Sequence, residues 1–206
     1  MSRAPCRGWF LENYKSLPRA YLNHAPWGGE YRPETYAVLA YDHEFIHLYM
    51  NSADPLIRCI HREDNSGDIW LDSCMEFFFN PCPKKTDQYF NIEINPLRYM
   101  LLGYGDSRAA GFSRVSLDPA KYNGFCREIL DKVPEDGEWD FLISVPYAFI
   151  SDHSPGFTPS EKMRWRGNFQ KCGEETKKPH YLMWSPSDTP APDFHVPECF
   201  GDLFFE

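Results

Sequence analysis

The sequence has no apolar run approaching the roughly 20 residues that a membrane-spanning helix needs. Its start, MSRAPCRGWFLENYK, lacks the continuous apolar stretch of a secretory signal. No membrane partner is therefore expected, and the chain reads as cytoplasmic. Basic charge is scarce: 21 Lys and Arg against 30 Asp and Glu leave a formal charge of −9. The only adjacent lysines, Lys84-Lys85 and Lys177-Lys178, read as solvated loops. A duplex nucleic-acid binder carries a clustered cationic footprint, so nucleic acid is excluded as a partner. Paired cysteine spacings are missing too. Cys6, Cys59, Cys74, Cys82, Cys126, Cys172 and Cys199 are odd in number and include no C-x-x-C pair. This excludes a disulfide framework or a zinc knuckle and predicts reduced, mostly buried thiols. No recognisable activating partner marks any of them as a nucleophile. Sustained helical periodicity is absent as well, because no stretch keeps an apolar helical face for three turns.

What is present is apolar and aromatic material in short pieces. The 206 residues are 42% hydrophobic, 17% aromatic and 25% charged, enough for one sizeable core and too apolar for disorder. One domain over residues 1–206 is the expectation. Segments of five to eight residues, rich in aromatic and β-branched or long apolar side chains, predict strands near 36–42, 45–50, 74–80, 88–95 and 98–104. Further strands are predicted near 125–133, 138–145, 163–170, 180–184 and 202–205. The 18 prolines fall between these runs, and turns such as Asn65-Ser66-Gly67-Asp68 and Pro134-Glu135-Asp136-Gly137 punctuate them. Pro146 suits the first turn of a short helix over Tyr147–Ile150. Many short strands and few helices predict an all-β antiparallel sandwich or barrel.

Strand side chains alternate between faces, and three runs sort cleanly. Met75, Phe77 and Phe79 oppose Cys74, Glu76, Phe78 and Asn80. Phe90, Ile92 and Ile94 oppose Tyr89, Asn91, Glu93 and Asn95. Met163, Trp165, Gly167 and Phe169 oppose Arg164, Arg166, Asn168 and Gln170. If these strands share one sheet, one face is core and the other collects Glu76, Asn91, Glu93, Arg166 and Asn168. An ordinary solvated face favours Thr, Lys and Glu, so a ligand-binding face and a plain polar one both stay open. Tryptophans in loops are the second unusual feature: Trp27, Trp70 and Trp184 flank turn-forming Gly, Asp or Pro. A flat indole can bury the C–H face of a sugar ring while amides and carboxylates take the hydroxyls at its rim. Trp139 and Trp165 fit strand alternation and are expected in the core.

The run Trp70-Leu71-Asp72-Ser73-Cys74-Met75-Glu76-Phe77-Phe78-Phe79-Asn80-Pro81, followed by Tyr89-Phe90-Asn91-Ile92-Glu93-Ile94-Asn95, resembles the family 9 carbohydrate-binding modules, in particular their stand-alone, family 9-like branch. Arg164-Trp165-Arg166-Gly167-Asn168-Phe169, Trp184-Ser185-Pro186 and Phe194-His195-x-Pro197-Glu198-x-Phe200-Gly201 agree with it, so the resemblance runs from about residue 25 to the end. Residues 1–25 are then an N-terminal extension packed on the module. The resemblance implies a β-sandwich with jelly-roll character and non-catalytic binding of a mono- or oligosaccharide. It places Trp70 and Trp184 as two indoles sandwiching a sugar ring and Glu76 as the carboxylate on its hydroxyls. Asn91, Arg98 and Arg166 would be further partners. Tyr181 and Leu182 stand where such modules carry an amide. Structural calcium also occurs in such modules; Asp42, Asp68 and Asp72 are loop-borne oxygens here, but no run matches a dedicated calcium loop.

An enzyme on the same scaffold is the alternative. Glu76 and Glu93 could form an acid–base pair, since two carboxylates about 5–10 Å apart are the hardware of glycoside hydrolysis. His153, His180 and His195 carry no metal-ligand spacing. The identity of the sugar and any protein partner are not legible.

Overall fold

The computed structural model describes residues 9, 12–106, 111–122, 127–160 and 162–205. The elements follow in the order β1 (Ala20–Tyr21), β2 (Thr35–Tyr41), β3 (Phe45–Ser52), β4 (Cys74–Asn80), β5 (Tyr89–Ile94), β6 (Met100–Gly105), β7 (Ser113–Arg114) and β8 (Trp139–Pro146). Helix α1 (Tyr147–His153) comes next, then β9 (Arg164–Cys172), β10 (Tyr181–Met183) and β11 (Gly201–Phe204). The strands form two antiparallel sheets. The smaller has the order β1-β2-β3-β8; the larger runs β10-β9-β4-β5-β6-β7, with β11 also paired to β9.

The alternation read from the sequence is the alternation observed. Met75, Phe77, Phe79, Phe90, Ile92, Ile94, Trp165 and Phe169 all point between the sheets and are buried. There they meet Ile46, Leu48 and Met50 of β3 and Trp139, Phe141, Ile143 and Val145 of β8. Cross-strand register turns the aromatics into one stack: Phe77 lies 4.7 Å from Phe169, Phe79 5.0 Å from Phe90, and Phe79 5.1 Å from Trp165. Stacked pairs of this kind add about 0.5–1.5 kcal/mol each beyond their buried area, which makes β4 the centre of the larger sheet. On the outer side of the smaller sheet, Tyr14 and Leu17 cover Tyr36, Val38 and Tyr49.

One predicted strand does not form. Residues 127–133 are irregular, and 125–126 lie outside the described residues. Here charge pairing prevails over strand propensity. Arg127 donates to Asp64, Glu128 accepts from Arg98, and the Leu130 amide bonds to the Leu97 carbonyl at 3.1 Å. The two-residue strands β1 and β7 are too short to leave an alternation signal.

Candidate functional site

The register of the larger sheet gathers the polar residues into rows. Glu76 faces Glu93 on one side and Gln170 on the other; Phe78 faces Asn91 and Asn168; Asn80 faces Arg166. All belong to the face turned away from the core, yet that face is not solvated. Glu76, Asn91 and Glu93 are 2%, 1% and 3% exposed, because the segment after β10 folds back across them. Phe200 packs on Phe78 and Tyr89, with Phe112 and Phe194 at the margin, and forms a second small core over half of the face.

The other half is a cleft of about 260 Å³, below the roughly 300–1,000 Å³ of drug-sized ligand sites and on the scale of one sugar ring. Glu76, Phe78, Asn91, Glu93 and Cys172 line it from the sheet. Trp70, Phe112, Tyr181 and Phe194 supply aromatic surface, and Arg114, Glu174, Pro192, Asp193 and His195 complete the lining.

Trp70 is held at the cleft by its neighbours on both sides. It sits in a 3-10 turn, Ile69–Leu71, whose Ile69 is fully buried. The Asp72 carboxylate then fastens the preceding loop, accepting from Arg58 Nη1 at 2.6 Å, the Ile60 and His61 amides at 3.0 and 3.1 Å, and Asn95 Nδ2 at 3.1 Å. The Arg114 guanidinium lies 5.9 Å from the Trp70 ring centre. Trp27 braces Tyr181 and Phe194 of the cleft lining by packing on both and donating to the Thr189 carbonyl at 2.9 Å.

At the floor, Asn91 Nδ2 donates to Glu93 Oε1 at 2.6 Å. Asn91 Oδ1 has no hydrogen-bond partner among the described residues. Such a buried orphan acceptor costs about 1–3 kcal/mol, a cost that a ligand hydroxyl would remove. Burial, then the Cys172 thiol and Glu93, push the Glu76 carboxyl well above the usual range. Gly103 keeps this floor open: a Cβ there would stand 2.3 Å from Phe112 Cε1 and 2.4 Å from Asn91 Oδ1.

The structure brings Trp70, Glu76 and Asn91 together and places the other four candidates elsewhere. Trp184 does not face Trp70. Its amide donates to the Phe169 carbonyl at 2.9 Å, and its ring centre is 5.8 Å from that of Phe169, on the core side of the sheet. A Cβ on Gly201 would stand 2.5 Å from Trp184 Cζ3, so the indole lies against that glycine. Strand β10 explains the difference: Tyr181 pairs with Cys172 and Met183 with Gln170 on the cleft face, which sends residue 184 to the opposite one. Arg98 adopts φ +68° in the β5–β6 turn and reaches back to the smaller sheet. It donates to the Asp140 carbonyl at 3.0 Å, Asp140 Oδ1 at 2.8 Å and Glu128 Oε2 at 3.0 Å. Arg166 donates to the carbonyls of Glu198 and Phe200 and so secures the C-terminal turn. Asn168 clamps Ser185, donating to its carbonyl at 2.8 Å and accepting from its amide at 2.9 Å.

The sequence profile of carbohydrate-binding family 9 matches residues 13–205. The chain belongs to carbohydrate-binding family 9. A candidate carbohydrate-binding protein from Bacteroides uniformis is 28% identical in sequence; the alignment covers 95% of this chain and 89% of that one, with a TM-score of 0.79. Two structures of a family 9 module from Caldicellulosiruptor kristjanssonii, in complex with cellotriose and with glucose, share the fold at 9% identity. Their TM-scores are 0.62 and 0.61, over 94% of this chain in each case and 84% and 86% of theirs. No functionally curated protein matches the chain.

The loop carboxylates of this family 9 chain do not fit calcium, which takes 6–8 oxygen ligands. The oxygens of Asp72 are occupied by Arg58, Asn95 and backbone amides, Asp42 accepts from the amides of Glu44 and Phe45, and no group of three metal-ligating side chains among the described residues contains Asp42, Asp68 or Asp72. Three histidines are likewise engaged separately: His153 with the Phe149 carbonyl, His180 with the Lys178 carbonyl and His195 with the Tyr89 hydroxyl. Phe112 and Arg114 line the cleft with no signal in the sequence, whereas Tyr181, Phe194 and His195, which the sequence marks through the resemblance but not as sugar contacts, line it as well.

Proposed function

We propose that this chain binds the terminal ring of a mono- or oligosaccharide in the Trp70 cleft, without catalysis. The carrying observation is the unpartnered Asn91 Oδ1 on a buried floor beside Glu76 and Glu93, enclosed by aromatic side chains. Ring C–H faces would stack on Trp70 and on Tyr181 or Phe194, while hydroxyls would bond Asn91, Glu76, Glu93 and Arg114. Glucose and cellotriose in the family 9 neighbours support a glucose-type ring as the first ligand to try. Titration calorimetry with both sugars tests the reading. Binding by the wild type, lost in Trp70→Ala and retained in Trp184→Phe, is the expected result; absence of binding by wild type to any sugar in a mono- and disaccharide panel overturns it.

One observation favours a second reading. Glu76 and Glu93 are directly paired across β4 and β5, and cross-strand pairs bring Cβ atoms to about 4.5–5.5 Å. A raised Glu76 beside a second carboxyl group has the form of a glycosidase pair. Release of reducing sugar from an aryl glycoside panel, abolished by Glu93→Gln, would replace binding with hydrolysis.

A further inference from the structure

The cleft floor also carries a donor set that hydroxyl recognition does not require. Cys74 and Cys172 are directly paired residues of β4 and β9, and both belong to the cleft face. Glu76 follows two residues after Cys74 on that same face. One donor atom from each of the three lies within 4.8 Å of the other two, and Cys172 Sγ is 3.1 Å from Glu76 Oε1. All three side chains are buried. A second observation comes from Gln170, which stands opposite Glu76 on β9 and two residues before Cys172. It is fully buried, and neither its Nε2 nor its Oε1 has a hydrogen-bond partner among the described residues. A buried amide is seldom left bare on both sides.

We propose that Cys74, Glu76 and Cys172 form a binding site for a single thiophilic divalent cation, zinc in the first instance. Two sulfur donors select against calcium and magnesium, which take oxygen ligands. Zinc accepts sulfur at about 2.3 Å and carboxylate oxygen at about 2.0–2.2 Å in a tetrahedron. Ligand atoms in such a site stand roughly 3.5 Å apart, so side-chain rotation alone can close this cluster. Binding releases one proton from each thiol to solvent, together with any proton the Glu76 carboxyl carries; no electrons move. Three protein ligands leave a fourth position open, as in zinc sites that bind water or substrate. Glu76 and Cys172 line the cleft, so that position faces it, and the Gln170 amide is the neighbouring group for a bound water. The ion site goes beyond sugar recognition and does not depend on it: metal is measured without sugar, and sugar affinity on metal-stripped protein.

The test uses the full chain, reduced with a phosphine and stripped with a chelator. After dialysis against zinc, elemental analysis should find one ion per chain, and X-ray absorption at the zinc edge should show two sulfur neighbours at about 2.3 Å. Cadmium should produce an ultraviolet thiolate charge-transfer band that is lost in Cys74→Ser and in Cys172→Ser and kept in Cys199→Ser. If either serine variant fails to fold, the wild-type absorption spectrum decides alone. No retained zinc, a zinc edge with only nitrogen and oxygen neighbours, or a band that survives Cys172→Ser overturns the proposal. Peptide mapping that finds Cys74 disulfide-linked to Cys172 in the protein as purified overturns it too.

Discussion

Glu76 and Glu93 face each other across β4 and β5 in one buried row of the larger sheet. Burial raises Glu76 well above the ordinary carboxylate range, and the Cys172 thiol and Glu93 add to it. Between the usual glutamate value of 4.5 and that raised value, the folded chain holds a proton the unfolded chain has released. Stability contributed by this group is therefore full at low pH and is lost as pH rises through the raised value. Glu76→Gln should remove the slope and gain on the wild type as pH increases. Urea unfolding at a series of pH values checks this, and parallel curves for the two proteins would contradict it.

His180 titrates with the opposite sign. Burial and the Lys171 charge push it down from 6.5 to about 4. As pH falls from about 6.5 towards 4, the unfolded imidazole takes up a proton that the folded one refuses. Stability should decline across that window by up to about 3 kcal/mol, and His180→Gln should flatten the decline. Beside it, Lys171 Nζ and Asp54 Oδ2 form a fully buried pair at 2.8 Å. Asp54→Ala strands the ammonium in the core and should cost about 3–5 kcal/mol, read from the shift in the urea midpoint.

Trp70 and Trp184 should separate binding from stability. Trp70→Ala is expected to weaken sugar binding by about 2 kcal/mol or more, as for desolvated aromatic anchors, with a small change in melting. Trp184→Ala removes a ring packed on Phe169 and Gly201 and should destabilise the fold by about 3 kcal/mol while the remaining folded protein keeps its affinity. Thermal melts and calorimetry on both variants measure the two effects, and the reverse pattern would return Trp184 to the site.

Gly103→Ala probes the floor itself. The new methyl would collide with Phe112 Cε1 and Asn91 Oδ1. Overpacking of this kind costs about 1–3 kcal/mol, and the displacement of Asn91 should lower sugar affinity further. Unchanged affinity would show that the floor relaxes freely or that Asn91 takes no part.

Much of this arrangement was legible in the sequence because strand parity is a local property. Phe77, Phe79, Phe90, Ile92 and Trp165 announce the core face, and Glu76, Asn91 and Glu93 follow on the other. What parity leaves open is set by long-range contacts. The pairing of Glu76 with Glu93 depends on register across the β4–β5 connection. Trp184 falls on the core side because Tyr181 and Met183 of β10 take the cleft face and the indole continues the alternation towards Phe169. Arg98 resembled a cleft residue until Asp140, 42 positions away, claimed its guanidinium. Residues 127–133 have strand-like composition but carry Arg127 and Glu128, whose partners lie on other segments.

The most direct measurement of the central claim is a crystal structure of the chain with glucose or cellotriose bound. The account predicts a sugar ring in the cleft against Trp70, with a hydroxyl within hydrogen-bond distance of Asn91 Oδ1. A ring bound elsewhere on the surface, or an empty cleft at saturating sugar, would contradict it.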